Sequence, residues 1–237
     1  MIPPFDINEC ILHSKRIDIW RYPLHTSFPG ATELLNDDET HRANRFYFPR
    51  HQRRFTLAHA ILRLILCRYT SIPPKDLIFQ HNDHGKPELI HSPLTFNLSH
   101  SGDWALLAVG NEYPLGIDLE FFSGRSYEGI SESLFSSQEH QALLRVSPSL
   151  RPLIFFHIWA QKEAFIKACG LGLSYPTQTF DVPIYPPAYD IIEDKKHQKQ
   201  WKMLSFMPQT ACNAALCYDR DVDDIRYITI NPFDILG

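Results

Sequence analysis

Hydrophobic positions along the chain change period several times. Between residues 51 and 69, Phe55, Ala58, Ile61, Leu62, Ile65 and Leu66 recur every three or four residues, which predicts a helix with one apolar face. Pro73 and Pro74 end it. Residues 151–169 repeat the pattern with Ile154, Phe155, Ile158, Phe165 and Cys169, and Gly170 supplies the stop. A helix over 31–48 is weaker, because Asn36 and Asp37 interrupt its middle before Pro49. Ser136 followed by Glu139 is a capping-box signature, so a short helix is expected to about residue 145. Alternating or short apolar runs predict strands at 16–22, 78–80, 95–98, 104–109, 115–121, 180–185, 201–207 and 211–218. A turn at 111–114 separates 1–112 from 113–237. Each part holds helices followed by strands that read as antiparallel. The expectation is an α+β fold of two similar halves in a pseudo-twofold arrangement, each a small, mainly antiparallel sheet packed by helices.

Composition narrows the class. The 237 residues are 44% hydrophobic and 13% aromatic, enough for a packed interior. The net charge of -4 argues against a dedicated nucleic-acid binder. Residues 1–10 lack a basic region followed by an apolar run, so no targeting segment is expected there. The apolar run at 61–67 is short and broken by Arg63, against the ~20 residues of a membrane span. Five cysteines without C-x-x-C spacing fit a reducing, cytoplasmic setting. His81 and His84 flank Asn82-Asp83 before Gly85 and read as polar residues of a turn rather than zinc ligands.

Charge is distributed unevenly. No acidic residue lies between Glu39 and Asp76, an interval holding Arg42, Arg45, Arg50, Arg53, Arg54, Arg63, Arg68 and Lys75. That imbalance suits an anionic partner, and the arginine fork suits phosphate. A solvated helix face with distant acidic partners explains it equally well. In the strand at 115–121, Ile117, Leu119 and Phe121 share one face while Asp118 and Glu120 share the other. Two adjacent carboxylates repel, so a cation such as Mg²⁺ is a natural partner; water on a half-exposed strand is the plainer one. On the 151–169 helix, Glu163 and Lys167 lie about 40° apart around the axis. They also form an ordinary i,i+4 pair. Lys162 projects near the apolar face and must snorkel, pair or meet a ligand. Trp159 borders the apolar stripe and reads as mostly core.

Together these residues resemble a known family. Gly116-Ile-Asp118-Leu-Glu120, followed by Trp159-Ala-Gln-Lys162-Glu163-Ala-Phe-Ile-Lys167, looks like the paired signature of the Sfp-type 4′-phosphopantetheinyl transferases. Asn97-Leu-Ser99-His100-Ser-Gly102, Gly85-Lys86-Pro87 and an arginine pattern at Arg45-Phe46, Arg54 and Leu62-Arg63 resemble further motifs of that family, in its order, over about 40–175.

The resemblance implies a pseudo-dimer of two α+β halves with coenzyme A between them. It implies Asp118, Glu120 and Glu163 as Mg²⁺ ligands and Lys167 at the pyrophosphate. Ser99, His100, Arg42, Arg45 and Arg54 would hold the nucleotide phosphates, and Gly85, Lys86 and Pro87 would line the adenine side. Where some relatives carry a lysine pair, this chain has Glu39-Thr-His41-Arg42, so the 3′-phosphate grip would rest on Arg42 and its neighbours. The implied reaction transfers 4′-phosphopantetheine from coenzyme A to a serine of an apo acyl or peptidyl carrier protein, with Glu163 taking the proton directly or through water. The implied protein is a cytoplasmic monomer that uses neither nucleic acid nor membrane. A non-catalytic coenzyme A sensor and a basic scaffold for nucleic acid are the competing readings.

Overall fold

The computed structural model describes residues 10–26, 28–123 and 127–231. The reading of residues 1–10 as free of a targeting segment therefore falls almost wholly outside the described residues. In chain order the elements are β1 (Arg16–Pro23), α1 (Asp37–Asn44), α2 (Pro49–Thr70), β2 (Phe79–His81), β3 (Pro87–Leu89), β4 (Leu94–Ser101), β5 (Trp104–Asn111), β6 (Leu115–Phe121), α3 (Glu128–Leu134), α4 (Ser137–Arg145), α5 (Arg151–Cys169), β7 (Ala188–Asp194), β8 (Lys199–Gln209), β9 (Cys212–Asp219) and β10 (Asp224–Thr229). The α+β class holds. The described residues form two compact units, one within 10–80, 88–112 and 224–231, the other within 81–87 and 113–223.

In the first unit the sheet order is β10-β1-β5-β4. The ladders β1–β5 and β4–β5 are antiparallel, and β10 runs parallel to β1. The core of this unit is built from α2 and the sheet, with Phe55, Ala58, Ile61, Ile65 and Leu66 meeting Trp20, Tyr22, Phe96 and Leu107. Asp18 is the buried polar hub of β1. It accepts 2.9 and 2.7 Å hydrogen bonds from Arg226 of β10 and one of 2.6 Å from Tyr69 of α2. That fork, the β1–β10 ladder and buried Ile228 and Ile230 hold the last strand in the first unit, whereas the sequence pattern alone assigns all of 113–237 to the second half.

The second unit has the order β6-β9-β8-β7, antiparallel throughout. Its core is built on α5, where Ile154, Phe155, Ile158 and Phe165 meet Phe180, Trp201, Met203, Ala215 and Cys217. Each unit thus follows one scheme: a first strand, helices ending in a long one, then strands of which one, β5 or β9, pairs back antiparallel with the first; the first unit adds β10. This is the internal similarity that the sequence pattern suggests.

Two differences from the sequence reading have physical causes. The expected helix 31–48 is a single 3₁₀ turn at Ala31–Leu34, a break, and then α1. Asn36, which looks like a mid-helix disturbance, is the N-cap: its side chain accepts from Glu39 N at 2.9 Å while the Glu39 carboxylate accepts from Asn36 N at 3.1 Å. Residues 180–185 form no strand. Three of their backbone groups, and one of the preceding turn, are taken by side chains of α4 and α5. Lys162 donates to Thr177 O (2.7 Å) and Phe180 O (2.6 Å), Gln161 donates to Pro183 O (2.8 Å), and Val182 N donates to Glu139 (2.8 Å). With those groups committed, no sheet ladder is left to form. The expected α4 and its Ser136/Glu139 capping box are present as read, as is α5 with Gly170 at φ 70°. The sequence pattern did not reveal α3, β3, β7 or β10.

Lys162 resolves as a buried strut. It is 1% exposed and pairs with Glu139 at 2.8 Å. Burial pulls the lysine down and pushes the glutamate up, and each partner's charge opposes that shift. Replacing Lys162 with Met leaves Glu139 buried without its counter-ion, so denaturant titration should show a loss of about 3–5 kcal/mol.

Candidate active site

The site is built where β6 crosses α5. Gly116, Asp118 and Glu120 alternate onto one face of the strand, and that face lies under the helix. An ideal Cβ on Gly116 would stand 2.2 Å from Ala164 O and 2.3 Å from Ala168 N, so only glycine permits this approach. At this closeness the Lys167 ammonium reaches Asp118 Oδ1 at 2.5 Å and Ile117 O at 3.3 Å. Asp118 is buried, as are Ile117 and Leu119 on the other face. The strand is therefore not half-exposed with its carboxylates in water. The Glu163 and Lys167 face of α5, opposite its apolar centre by sequence, is the face laid over the carboxylate side of β6.

Asp118 pairs with the Lys167 ammonium, and Glu120 and Glu163 lie near enough for their charges to act on that pair. Burial pushes Glu120 up to about 7, the Asp118 charge adds to the rise, and Trp159 and Lys167 offset part of it. Burial and Asp118 raise Glu163 as well, against Lys167. Burial alone would pull Lys167 down, but Asp118, Glu163 and Glu120 hold it up. An all-oxygen donor set with an excess of negative charge fits a hard divalent cation such as Mg²⁺. Trp159 belongs to the site rather than to the core alone: its indole N–H donates to Glu120 Oε1 at 3.0 Å and holds that carboxylate beside the cluster.

The Gly85-Lys86-Pro87 turn is fastened to the same crossing. Gly85 takes φ 84°, which glycine supplies without strain. Asn82 Oδ1 accepts from Lys86 N at 2.9 Å, and Asn82 Nδ2 donates to Gly170 O at 2.8 Å. The Lys86 ammonium points at backbone, donating to Leu115 O of β6 (2.9 Å) and, at 3.5 Å, to Ala168 O of α5. It therefore bridges strand and helix one turn from Asp118–Lys167. Sequence reading did not single out Asn82 or Gly116 as individual positions. A glycine inside a strand, signalling close backbone approach, was the available clue to the second.

In the first unit the arginines fall into three situations. Arg42 and Arg45, at the end of α1, are exposed, with the Arg42 guanidinium 5.3 Å over the Phe55 ring. Arg54 of α2 donates to Asp103 Oδ1 at 2.8 Å, at the β4–β5 turn that follows buried Ser99 and exposed His100. That hydrogen bond, before any other influence, holds the Asp103 carboxyl below its ordinary range. Arg63 is fully buried and donates to Glu39 (2.7 Å), Pro74 O (2.6 Å) and Leu77 O (3.1 Å). Glu39 also meets His59 at 3.0 Å. Glu39 thus closes the capping box of α1 and anchors Arg63. Burial pushes it up, but these donors outweigh burial and keep it low.

Comparison with known proteins agrees along the chain. Residues 114–216 match the 4′-phosphopantetheinyl transferase superfamily, and residues 19–112 match the 4′-phosphopantetheinyl transferase N-terminal family. The chain is 36% identical over 215 residues to 4′-phosphopantetheinyl transferase HetI of Nostoc sp., covering 86% of this chain and 88% of that one. It is 32% identical over 161 residues to 4′-phosphopantetheinyl transferase Sfp of Bacillus subtilis, covering 68% and 71%. It is 28% identical over 220 residues to the mouse L-aminoadipate-semialdehyde dehydrogenase-phosphopantetheinyl transferase, covering 81% and 71%.

Two measurements test this geometry. Because Glu120 is raised in the folded state, its neutral form is the favourable one, and its contribution is lost as pH rises from about 4.5 through about 7. Glu120→Gln should therefore raise the Tm of the metal-free protein, with a gain that grows between pH 5 and pH 8. Lys86→Met keeps the stem and removes the bridge between β6 and α5. It should lower thermal stability by about 1–3 kcal/mol, the cost of leaving buried carbonyls without a donor, while Lys86→Arg recovers part of the loss.

Proposed function

The chain belongs to the 4′-phosphopantetheinyl transferase superfamily, and from that premise we propose how its residues carry out the reaction. The protein is an enzyme that transfers phosphopantetheine to carrier proteins. In the proposed reaction coenzyme A is the donor, a serine hydroxyl of an apo acyl or peptidyl carrier protein is the acceptor, and adenosine 3′,5′-bisphosphate leaves. The observation that carries the reading is the crossing of β6 and α5, where Asp118 pairs with Lys167 and the charges of Glu120 and Glu163 act on both.

Asp118, Glu120 and Glu163 would hold Mg²⁺, which when bound neutralises charge on the diphosphate as a Lewis acid. Trp159 keeps the Glu120 carboxylate turned into the cluster. Glu163, raised by burial and by Asp118, is suited to accept the serine proton, directly or through one water. Lys167 brings positive charge to the pyrophosphate as the bond to the leaving group lengthens. Arg42, Arg45, Arg54, Ser99 and His100 would hold the nucleotide phosphates. For Arg54 this means that phosphate competes with Asp103, whose carboxylate it engages in this structure. Gly85 and Pro87 would present the turn to the adenine side, with Lys86 acting through its backbone and its side chain holding the turn in place.

The enzyme is proposed to work as a monomer in the cytoplasm. That reading is supported by the doubling of the strand–helix–strand scheme within one chain and by five cysteines without paired spacing. Among the described residues no helix is long and apolar enough to cross a membrane.

Intact mass spectrometry tests the reading. The protein, coenzyme A, Mg²⁺ and an apo carrier should give a carrier heavier by about 340 Da, the mass of the pantetheine-bearing group that the cofactor carries. Glu163→Gln should lower kcat by about 10²–10⁴-fold with coenzyme A affinity largely kept. Lys167→Ala should weaken both turnover and coenzyme A binding; full activity in that variant contradicts its assignment.

A further inference from the structure

A second group of ligating side chains lies at the C-terminus of α5. Cys169 is the last residue of that helix, Asp194 the last of β7, and His197 stands in the turn before β8. Cys169 Sγ, a carboxylate oxygen of Asp194 and a ring nitrogen of His197 lie within 4.8 Å of one another. The Asp194 side chain is fully buried, and its two oxygens are used differently. Oδ1 accepts from Tyr175 OH at 2.7 Å and from the backbone N–H groups of Lys196 and His197 at 3.1 Å each. Oδ2 faces Cys169 Sγ at 3.5 Å and His197 Nδ1 at 2.7 Å.

We propose that Cys169 Sγ, Asp194 Oδ2 and His197 Nδ1 form a binding site for Zn²⁺ or a chemically similar transition-metal dication, separate from the carboxylate cluster at β6. The donors on Oδ1 do what outer partners of metal-bound carboxylates do: they fix the orientation of the group and leave one oxygen directed at the other two ligands. The two hydrogens that Oδ2 accepts, from thiol and imidazole, are those a cation would displace. Tetrahedral bonds of about 2.3 Å to sulfur and about 2.0 Å to oxygen separate those two atoms by about 3.5 Å, the spacing observed. The imidazole must retract by about 0.6 Å to reach its ligand distance. It is free to do so, because the His197 side chain is 43% exposed. Water completes the fourth position.

The chemistry of the set selects the ion. Thiolate and imidazole suit zinc-like ions, whereas Mg²⁺ prefers oxygen and keeps its water. On binding, the S–H bond breaks and its proton leaves to solvent, while the imidazole proton leaves Nδ1 for Nε2. Thiolate and carboxylate then balance the dication. Affinity should therefore rise with pH, and the bound ion should tie the end of α5 to the β7–β8 turn.

Co²⁺ is the probe. Added to the chelator-treated full chain, it should give a near-ultraviolet thiolate-to-cobalt band at one equivalent. Zn²⁺ should abolish the band, and millimolar Mg²⁺ should leave it unchanged. Cys169→Ser should remove the band, His197→Ala should weaken Co²⁺ binding by about tenfold or more, and Cys67→Ser and Asp118→Asn should each retain it. A band that survives Cys169→Ser, or none at saturating Co²⁺ in the parent protein, overturns the site. His197→Ala alters an exposed side chain, so its result stands even where Cys169→Ser lowers stability. Retention of the band in Asp118→Asn separates this site from the proposed catalytic one.

Discussion

The close approach of β6 to α5 is the constraint on which the functional part of the molecule depends. A strand and a helix that touch backbone to backbone at Gly116 leave no room for side chains between them at that point. Just beyond it, Lys167 and Asp118 meet at 2.5 Å. Asn82 and Lys86 secure the same crossing from outside by satisfying carbonyls of β6 and α5. The register between strand and helix is thus set by packing, and the charges follow from it.

Charge explains why the crossing is chemically useful. A buried cluster with more carboxylate than ammonium is costly by itself, and burial and the Asp118 charge push Glu120 and Glu163 upward. A dication and a diphosphate offset it when they enter together. The same chain shows paired buried charge elsewhere. Lys162 with Glu139 is a buried pair whose remaining hydrogen-bonding groups are taken by backbone partners, and Arg63 with Glu39 is a second, in which Arg63 also donates to two backbone carbonyls. Those pairs hold helices and loops in place; the cluster at β6 retains unbalanced negative charge.

Much of the site was legible along the chain because its elements are local. Asp118 and Glu120 share a face by strand alternation, Glu163 and Lys167 by helical spacing, and Ser136 with Glu139 by capping chemistry. Roles were less legible than positions. Lys162 and Lys167 occur five residues apart in one helix, yet one is sealed against Glu139 and the other meets Asp118. Arg54 and Arg63 belong to the same basic stretch, yet one engages an exposed turn and the other lies wholly inside. Trp159 looked like core because its ring is large and apolar; only the partner of its N–H revealed its attachment to Glu120.

The amino-acid order by itself determined the periodic elements, the carboxylate face of β6, the caps of α4 and α5, and the resemblance that names the chemistry, because each rests on contacts within a few residues. Tertiary structure decided which charges are paired and which remain to act, since a partner distant in sequence sets the environment of each. It also decided that 180–185 is no strand and that β10 returns to pair with β1 through Asp18 and Arg226, 208 residues apart. Backbone hydrogen bonds and buried charges choose their partners by proximity in space, and no period along the chain encodes that proximity.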